Sequence, residues 1–496
     1  MADRPHGLHP QSIWRNWLSL AGAIVATGSF FAFLLLFVFD LFAGSHGNPY
    51  LGILSYVVAP GFLLLGLALV LAGGWLRQLQ KKRDPTAPPP QLAIDLNNPR
   101  DRRRLLWFGL GTTVFLLFTV LGSVQTYHVT ETVEFCGKVC HEVMKPEYTA
   151  YQNGLHARVA CVECHVGSGA RYYLESKANG AKQLWGVISG HYQRPIPAPV
   201  TNLRPAQDTC EKCHWPQRFS GNLERTFTHY LTQADGKTYT VRLLLHVGGG
   251  DPRRGPLGGI HWHTSKDHRV EYYAEDEQRQ RVPWVRVSNP DGTSIVYRTS
   301  EYKGDPAPAQ IRTMDCLDCH NRPAHRYKSP NEAVDQAFYL GKLDPSLPAA
   351  KRTIVDLLSR GYASESEAVA AIETGLRKAY GDRPAAVQAI ATTTAIYREN
   401  FFPVMQADWS KYPEQIGHKD WPGCFRCHDN RHEAVEGGSP KKIAASDCNT
   451  CHTLLAQGSG AELTRLAPQG QAFKHPDALP DDLTCSDCHN GKNQSP

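Results

Sequence analysis

The feature that most constrains this 496-residue chain is a repeated pair of cysteines with histidine directly after the second. Six copies leave two residues between the cysteines: Cys161, Cys164 and His165; Cys210, Cys213 and His214; Cys316, Cys319 and His320; Cys424, Cys427 and His428; Cys448, Cys451 and His452; and Cys485, Cys488 and His489. A seventh, CGKVCH, is loosened by one residue and comprises Cys136, Cys140 and His141. Two thiols one helical turn apart can each form a thioether with a vinyl group of one haem, and the next side chain then lies beneath the iron as its proximal ligand. With histidine at 22 of 496 positions, chance would put it after all seven pairs with a probability on the order of 10⁻⁹, which sets aside a plain disulfide framework. All fourteen cysteines are used in these pairs, so none remains for a bridge elsewhere. Zinc ribbons need paired knuckles at short separation, and these motifs are unevenly spread. The pattern therefore predicts seven covalently bound haem c groups.

Three apolar stretches precede the first motif. Residues 17–39 are uncharged over 23 positions, long enough to cross a bilayer as a helix. A cleavable signal peptide would have a shorter apolar core and a small-residue cleavage site at its end. Residues 51–76 form a second span, with Pro60-Gly61 expected as a tolerated kink, and residues 105–123 form a third. The segment 77–104 carries eight Lys and Arg, whereas the connection from Asp40 to Tyr50 carries none. The basic loop is thus expected in the cytoplasm, with the amino terminus beside it and everything after the third span outside. The expected location is a bacterial inner membrane with a periplasmic haem region.

The net charge of +6 resides in this part of the chain, since residues 1–126 hold ten Lys and Arg against five Asp and Glu, leaving 43 against 42 beyond. It reads as a topology signal, and nucleic-acid binding is not indicated. The remaining 370 residues amount to about 53 per haem, so porphyrin is expected to replace much of the ordinary apolar core.

From residue 127 to about residue 225 three motifs follow in close succession, in CGKVCHEVM, GLHARVACVECHVG and RPAQDTCEKCHWP, and MDCLDCHNRPAH adds a fourth within residues 306–328. In motif order and flanking residues this region resembles the NapC/NirT family of membrane-anchored quinol dehydrogenases. The chain departs from that family in two extra spans, an insertion before the fourth haem and three further haems at the carboxyl end. It is also similar to the seven-haem, three-helix inner-membrane cytochromes of metal-respiring bacteria. The resemblance implies menaquinol or ubiquinol as substrate, the membrane quinone pool as electron source, and periplasmic cytochromes or a periplasmic reductase as acceptors, with membrane-complex partners conceivable. It also implies Met144 as an axial ligand of the first haem, with the motif histidine His141 displaced in some relatives; simple packing is the other reading of Met144.

Residues 226–305, the insertion, read as β structure: TYTVRLLLHV, HRVEYYAEDE, VPWVRVS and TSIVYRT are rich in β-branched and aromatic residues, and Asn289-Pro290-Asp291-Gly292 signals a turn. Extended, His261 and His263 of IHWH would share a face, which allows a metal pair, haem ligands or ordinary hydrogen-bonded strand histidines. Residues 329–412 switch to helical spacing, with Ser329-Pro330 as cap and first turn, and form a spacer. Residues 413–496 hold three motifs and are expected to form a compact trihaem module of irregular and short helical structure. The expected fold class is three transmembrane α-helices, residues 1–126, with a mostly α and irregular multihaem periplasmic region and a β-rich insertion.

Fifteen histidines lie outside the motifs, and eleven of these are placed to serve as distal ligands. Filling both axial positions favours electron transfer, whereas an open position invites substrate chemistry. His156, His191, His325, His418, His432 and His475 lead the candidates because they flank haem motifs; His229, His246, His261, His263 and His268 complete the set. Cys136 follows the end of the third span by only 13 residues, a reach of at most ~45 Å even fully extended. Quinol oxidation is therefore expected beside the first haem, with Met144, His128, Glu142 and Lys145, and also Glu131 and Glu134, as nearby groups. The rival functions are a terminal reductase for nitrite, hydroxylamine or a sulfur oxyanion with one open haem, and a passive electron relay within a larger membrane complex.

Overall fold

The computed structural model describes residues 16–43, 58–83, 97–103, 106–107, 109–110, 125, 128–139, 141–166, 170–198, 204–215, 218–232, 236–249, 258–265, 267–435, 440–443 and 448–476. The chain forms two compact units, residues 1–136 with 160–186, and residues 137–159 with 187–496.

In the first unit, α1 (Trp17–Ala43) pairs with α2 (Ala59–Arg83). Small residues let the backbones close: a Cβ at Gly22 would come within 2.6 Å of the Gly66 carbonyl, and one at Gly66 within 2.5 Å of the Ala26 nitrogen. Ser19 Oγ donates to the Val70 carbonyl at 3.2 Å across the same seam. Among the described residues one stretch, Ala59–Gln80 of α2, is long and apolar enough to cross a membrane, with a shorter apolar stretch at Trp17–Phe33. Pro60 occupies the first turn of α2 instead of kinking a span, because a helix start needs no amide hydrogen there. Residues 51–57 of the second expected span, and residues 111–123 of the third, lie outside the described residues.

The second unit has a helical core and two antiparallel sheets. The core is built by α8 (Pro330–Tyr339), α9 (Ala350–Ser359), α10 (Glu365–Tyr380) and α11 (Pro384–Asn400). Between them Val334, Leu343, Ile354, Leu358, Ile372 and Leu376 are almost fully buried. Ser329 caps α8 by accepting from Glu332 N, with Pro330 in the first turn, and Ser364 caps α10 by accepting from Glu367 N. The sequence pattern points to α8, α10 and α11; α9 is an addition, its short AKRTIVDLLS run made helical by burial of Ile354, Val355, Leu357 and Leu358.

The strands extend beyond the expected insertion. β1 (Leu223–Tyr230), β2 (Thr238–Leu245) and β8 (His452–Gly458) form one sheet in the order β1-β2-β8. β3 (Arg269–Tyr273), β4 (Trp284–Ser288), β5 (Ser294–Arg298), β6 (Arg312–Thr313) and β7 (Glu433–Ala434) form the other in the order β6-β3-β4-β5-β7. Each sheet is thus completed by chain from outside residues 226–305. The carboxyl-terminal portion, expected to be irregular and helical, contributes β7 and β8, because β2 offers β8 an edge from Thr240 to Leu245. The IHWH segment is a 3₁₀ turn, Ile260–Thr264, and not a strand.

Ile372→Ala is expected to cost about 2–5 kcal/mol by leaving a cavity in the helical core. Thermal loss of the far-ultraviolet helical signal would move to lower temperature, while intact mass still shows the full haem complement.

Candidate haem sites

Each described motif folds as one helical turn, so its two cysteines project together. The turns are α5 (Cys161–His165) and the 3₁₀ segments Cys210–Lys212, Cys316–Asp318, Gly423–Arg426 and Cys448–Thr450. The turn closes when the motif histidine amide donates to the first cysteine's carbonyl: His214 to Cys210 at 2.8 Å, His320 to Cys316 at 2.8 Å and His428 to Cys424 at 3.1 Å. In the first motif Cys136 lies in α3 (Val133–Lys138) and His141 starts α4 (His141–Gln152). Cys140, Cys485, Cys488 and His489 lie outside the described residues, as do the side chains of His141 and Cys448. Among the described residues, Cys136, Cys161, Cys210, Cys213, Cys316, Cys319, Cys424 and Cys427 form no disulfide.

Thiols of different motifs meet. Cys136 donates to Cys161, which pushes the Cys136 thiol up and draws Cys161 down to about 7. In the same way the Cys316 thiol is pushed up and Cys210 is drawn down to about 6. Burial raises Cys319 to about 11 and Cys427 to about 12.

Four motif histidines face a second histidine. Ring centres are 6.1 Å apart for His214 and His156, 6.5 Å for His320 and His261, 5.8 Å for His428 and His263, and 6.3 Å for His452 and His418. Two imidazoles on opposite sides of one metal, with bonds of about 2.0 Å and about 1.1 Å from ring nitrogen to ring centre, stand ~6.2 Å apart. The donor sets therefore fit haem c, with two thiols on one turn and two imidazoles at axial separation.

Second partners orient three of the non-motif rings. Nδ1 of His156 lies 3.1 Å from the Pro323 carbonyl, that of His261 2.6 Å from Val247 O, and that of His263 2.9 Å from Ile260 O. Donation from Nδ1 leaves the Nε2 lone pair for a metal. Burial holds His263 down to about 4 and also lowers His320, His418 and His452, keeping these imidazoles neutral as ligation requires. In the fourth pair the buried Nδ1 atoms of His418 and His452 have no hydrogen-bond partner.

The remaining distal candidates are placed differently. His432 is buried with both nitrogens spent, Nδ1 at 2.8 Å from Asp429 Oδ1 and Nε2 at 2.7 Å from Val282 O, which corrects its expected ligand role. His325 Nδ1 lies 3.0 Å from the Glu147 carbonyl, in α4. His191 is exposed after α6 (Ala170–Ser189), and His475 stands edge-on to Phe473. His229 pairs with Asp335 at 3.1 Å, and His246 Nε2 lies 3.1 Å from Thr453 Oγ1. The two histidines of IHWH carried a visible signal, their spacing, but the sequence alone pointed to one face of a strand.

Around the fourth motif a buried carboxylate, Asp318, accepts from Tyr272 Oη at 2.5 Å, Arg279 at 2.6 Å and Arg312 at 2.7 Å. Arg426 of the fifth motif donates to the carbonyls of Asp318 at 3.0 Å and Arg279 at 2.8 Å, tying the two motifs together. Near the first motif, Lys177 pairs with Glu131 at 2.9 Å in one unit. In the other, Lys145 pairs with Glu365 at 2.5 Å, Met144 is half-buried and Glu142 is exposed. His128 and Glu134 are exposed.

Residues 99–196 match the NapC/NirT cytochrome c family, N-terminal region. The chain is 40% identical to cytochrome c-type protein ImcH of Geobacter sulfurreducens over 499 aligned positions, covering 96% of this chain and 95% of that one. The chain belongs to this cytochrome c family. It is also 32% identical over 78 residues to cytochrome c-type protein NrfH of Wolinella succinogenes, covering 15% of this chain and 44% of that one. No solved structure matches the chain. As a member of the family it is a membrane-anchored multihaem c-type cytochrome of electron transport, with covalently bound haem c.

Asp318→Asn would leave Arg279 and Arg312 facing each other without their shared anion, and breaking a buried ion pair costs about 3–5 kcal/mol. Thermal unfolding should come earlier than in the parent, whereas Asp291→Asn, in an exposed turn, should leave it unchanged.

Proposed function

We propose that this cytochrome oxidises quinol at the outer face of the inner membrane and passes the electrons along seven haems c to a periplasmic cytochrome or reductase. The four facing histidine pairs carry the reading, because closed axial positions suit electron transfer and leave no place for a substrate on the iron. Bound haem c supplies one-electron carriage. The chain's own part is to hold each site with a CxxCH turn and a distal histidine: His156, His261, His263 and His418 for the third to sixth motifs. Burial lowers His263 and His418 and so keeps these two imidazoles neutral.

At the quinol end, two electrons leave by the haems and two protons are released outside. Met144 is the proposed axial ligand of the first haem, with His128, Glu142 and Lys145 as ionisable groups near that motif in sequence. The three spans, with residues 77–104 inside, bring the first motif close to the bilayer.

Purified protein in liposomes is expected to be reduced by a menaquinol analogue, with Met144→Ala slowing that reduction while dithionite still reduces every haem. Failure of quinol to reduce the parent protein would overturn the proposal in favour of a passive relay. Reduced protein should not bind carbon monoxide; strong binding would favour the terminal reductase. For topology, a reporter active only in the cytoplasm should work at residue 90 and be silent after residue 130. Intact mass should show seven haem additions.

A further inference from the structure

We propose that the Ile260–Thr264 turn closes two neighbouring haem sites at once, His261 as distal ligand opposite His320 and His263 as distal ligand opposite His428. The inference rests on the multihaem electron-transfer reading above and assigns two ligands within it. In an extended strand, residues two apart share a face and could chelate one ion. In a 3₁₀ turn of three residues per revolution they point about 120° apart, so each reaches a different partner. That is the observed arrangement: His261 stands 6.5 Å from His320, and His263 5.8 Å from His428, ring centre to ring centre.

The turn is held on several sides. Ile260 N donates to the His246 carbonyl at 2.7 Å and His261 N to the Gly248 carbonyl at 3.2 Å. Between the two histidines, Trp262 stacks on His268 at 3.7 Å, and Phe219 stacks on His261 at 4.3 Å. Each ring places Nδ1 on a backbone carbonyl, which leaves the Nε2 lone pair for a metal. The two motifs it serves are already joined through Arg426. One five-residue turn thus fixes two irons relative to each other, and gives the β insertion a role in the electron path.

The two sites differ in a way that spectroscopy reads. The ring planes of His261 and His320 are nearly parallel, at 6°, while those of His263 and His428 are nearly perpendicular, at 83°. Parallel axial rings split the iron dπ orbitals and give a rhombic low-spin paramagnetic resonance signal. Perpendicular rings leave those orbitals nearly degenerate and give a strongly anisotropic signal at high g.

The test uses the full-length, detergent-extracted cytochrome and the variants His261→Met and His263→Met, which keep a ligand on the turn and so a folded site. Intact mass should show the parental haem number in both. The oxidised His261→Met protein should lose one haem's share of the rhombic signal, and His263→Met one haem's share of the high-g signal. Each variant should also raise the midpoint potential of one haem, as thioether ligation does. Spectra identical to the parent, or loss from both signal types in a single variant, would overturn the assignment. None of these readouts depends on quinol, so a failure of quinol oxidation in the parent protein is distinguishable from a failure here.

Discussion

The haem-binding half of the molecule depends on one buried carboxylate. Asp318 sits inside the fourth motif with 1% of its surface exposed, and accepts from one tyrosine and two arginines. Tyr272 comes from β3, Arg312 from β6 and Arg279 from the loop after β3, so a single side chain fastens a haem-binding turn to the five-stranded sheet. Burying an anion is tolerable only when it is paired and fully hydrogen-bonded. Burial, and then the Asp318 charge, drive the Tyr272 hydroxyl up, and the hydrogen bond and charge of Asp318 hold the Arg312 guanidinium up against its burial. Arg426 extends the cluster into the next motif through backbone carbonyls. Two CxxCH turns separated by about a hundred residues of helical spacer are thereby held side by side.

That fastening explains why the sheets draw strands from distant parts of the chain. β8 begins at His452, the histidine of the sixth motif, and pairs with β2. β7 follows the fifth motif by a few residues and pairs with β5. Short helical turns that carry a haem motif have little stability of their own. Running straight into a strand of an existing sheet supplies the backbone hydrogen bonds that such a turn lacks. The insertion is therefore a scaffold for motifs on both sides of it in sequence.

The cysteine-histidine repeat was legible because its chemistry demands fixed spacing, and the strands of the insertion because alternation and the Asn289–Gly292 turn are local signals. His156 and His418 were legible as candidates, since nearness to a motif in sequence also meant nearness in space to a motif histidine, His214 and His452 respectively. His432 misled for the same reason: it lies four residues after His428, but its Nε2 reaches Val282, 150 residues earlier. No local pattern announces such an acceptor. His261 and His263 were visible as a pair, and their partners were not, because the turn conformation is set by long-range hydrogen bonds to residues 246 and 248. The strand β8 was hidden because a seven-residue run beside a haem motif becomes extended only when another strand offers an edge.

The meeting of cysteines from different motifs bears on how closely successive groups can lie. The first cysteines of the third and fourth motifs share a hydrogen bond, as do those of the first and second. A thioether replaces each thiol proton when haem is attached, so neither contact survives as a hydrogen bond; what survives is the position of the sulfur atoms. Attachment points this close would bring the two haem groups near each other. Electron transfer between haems needs such closeness, and these sulfur contacts are the chain's own contribution to it.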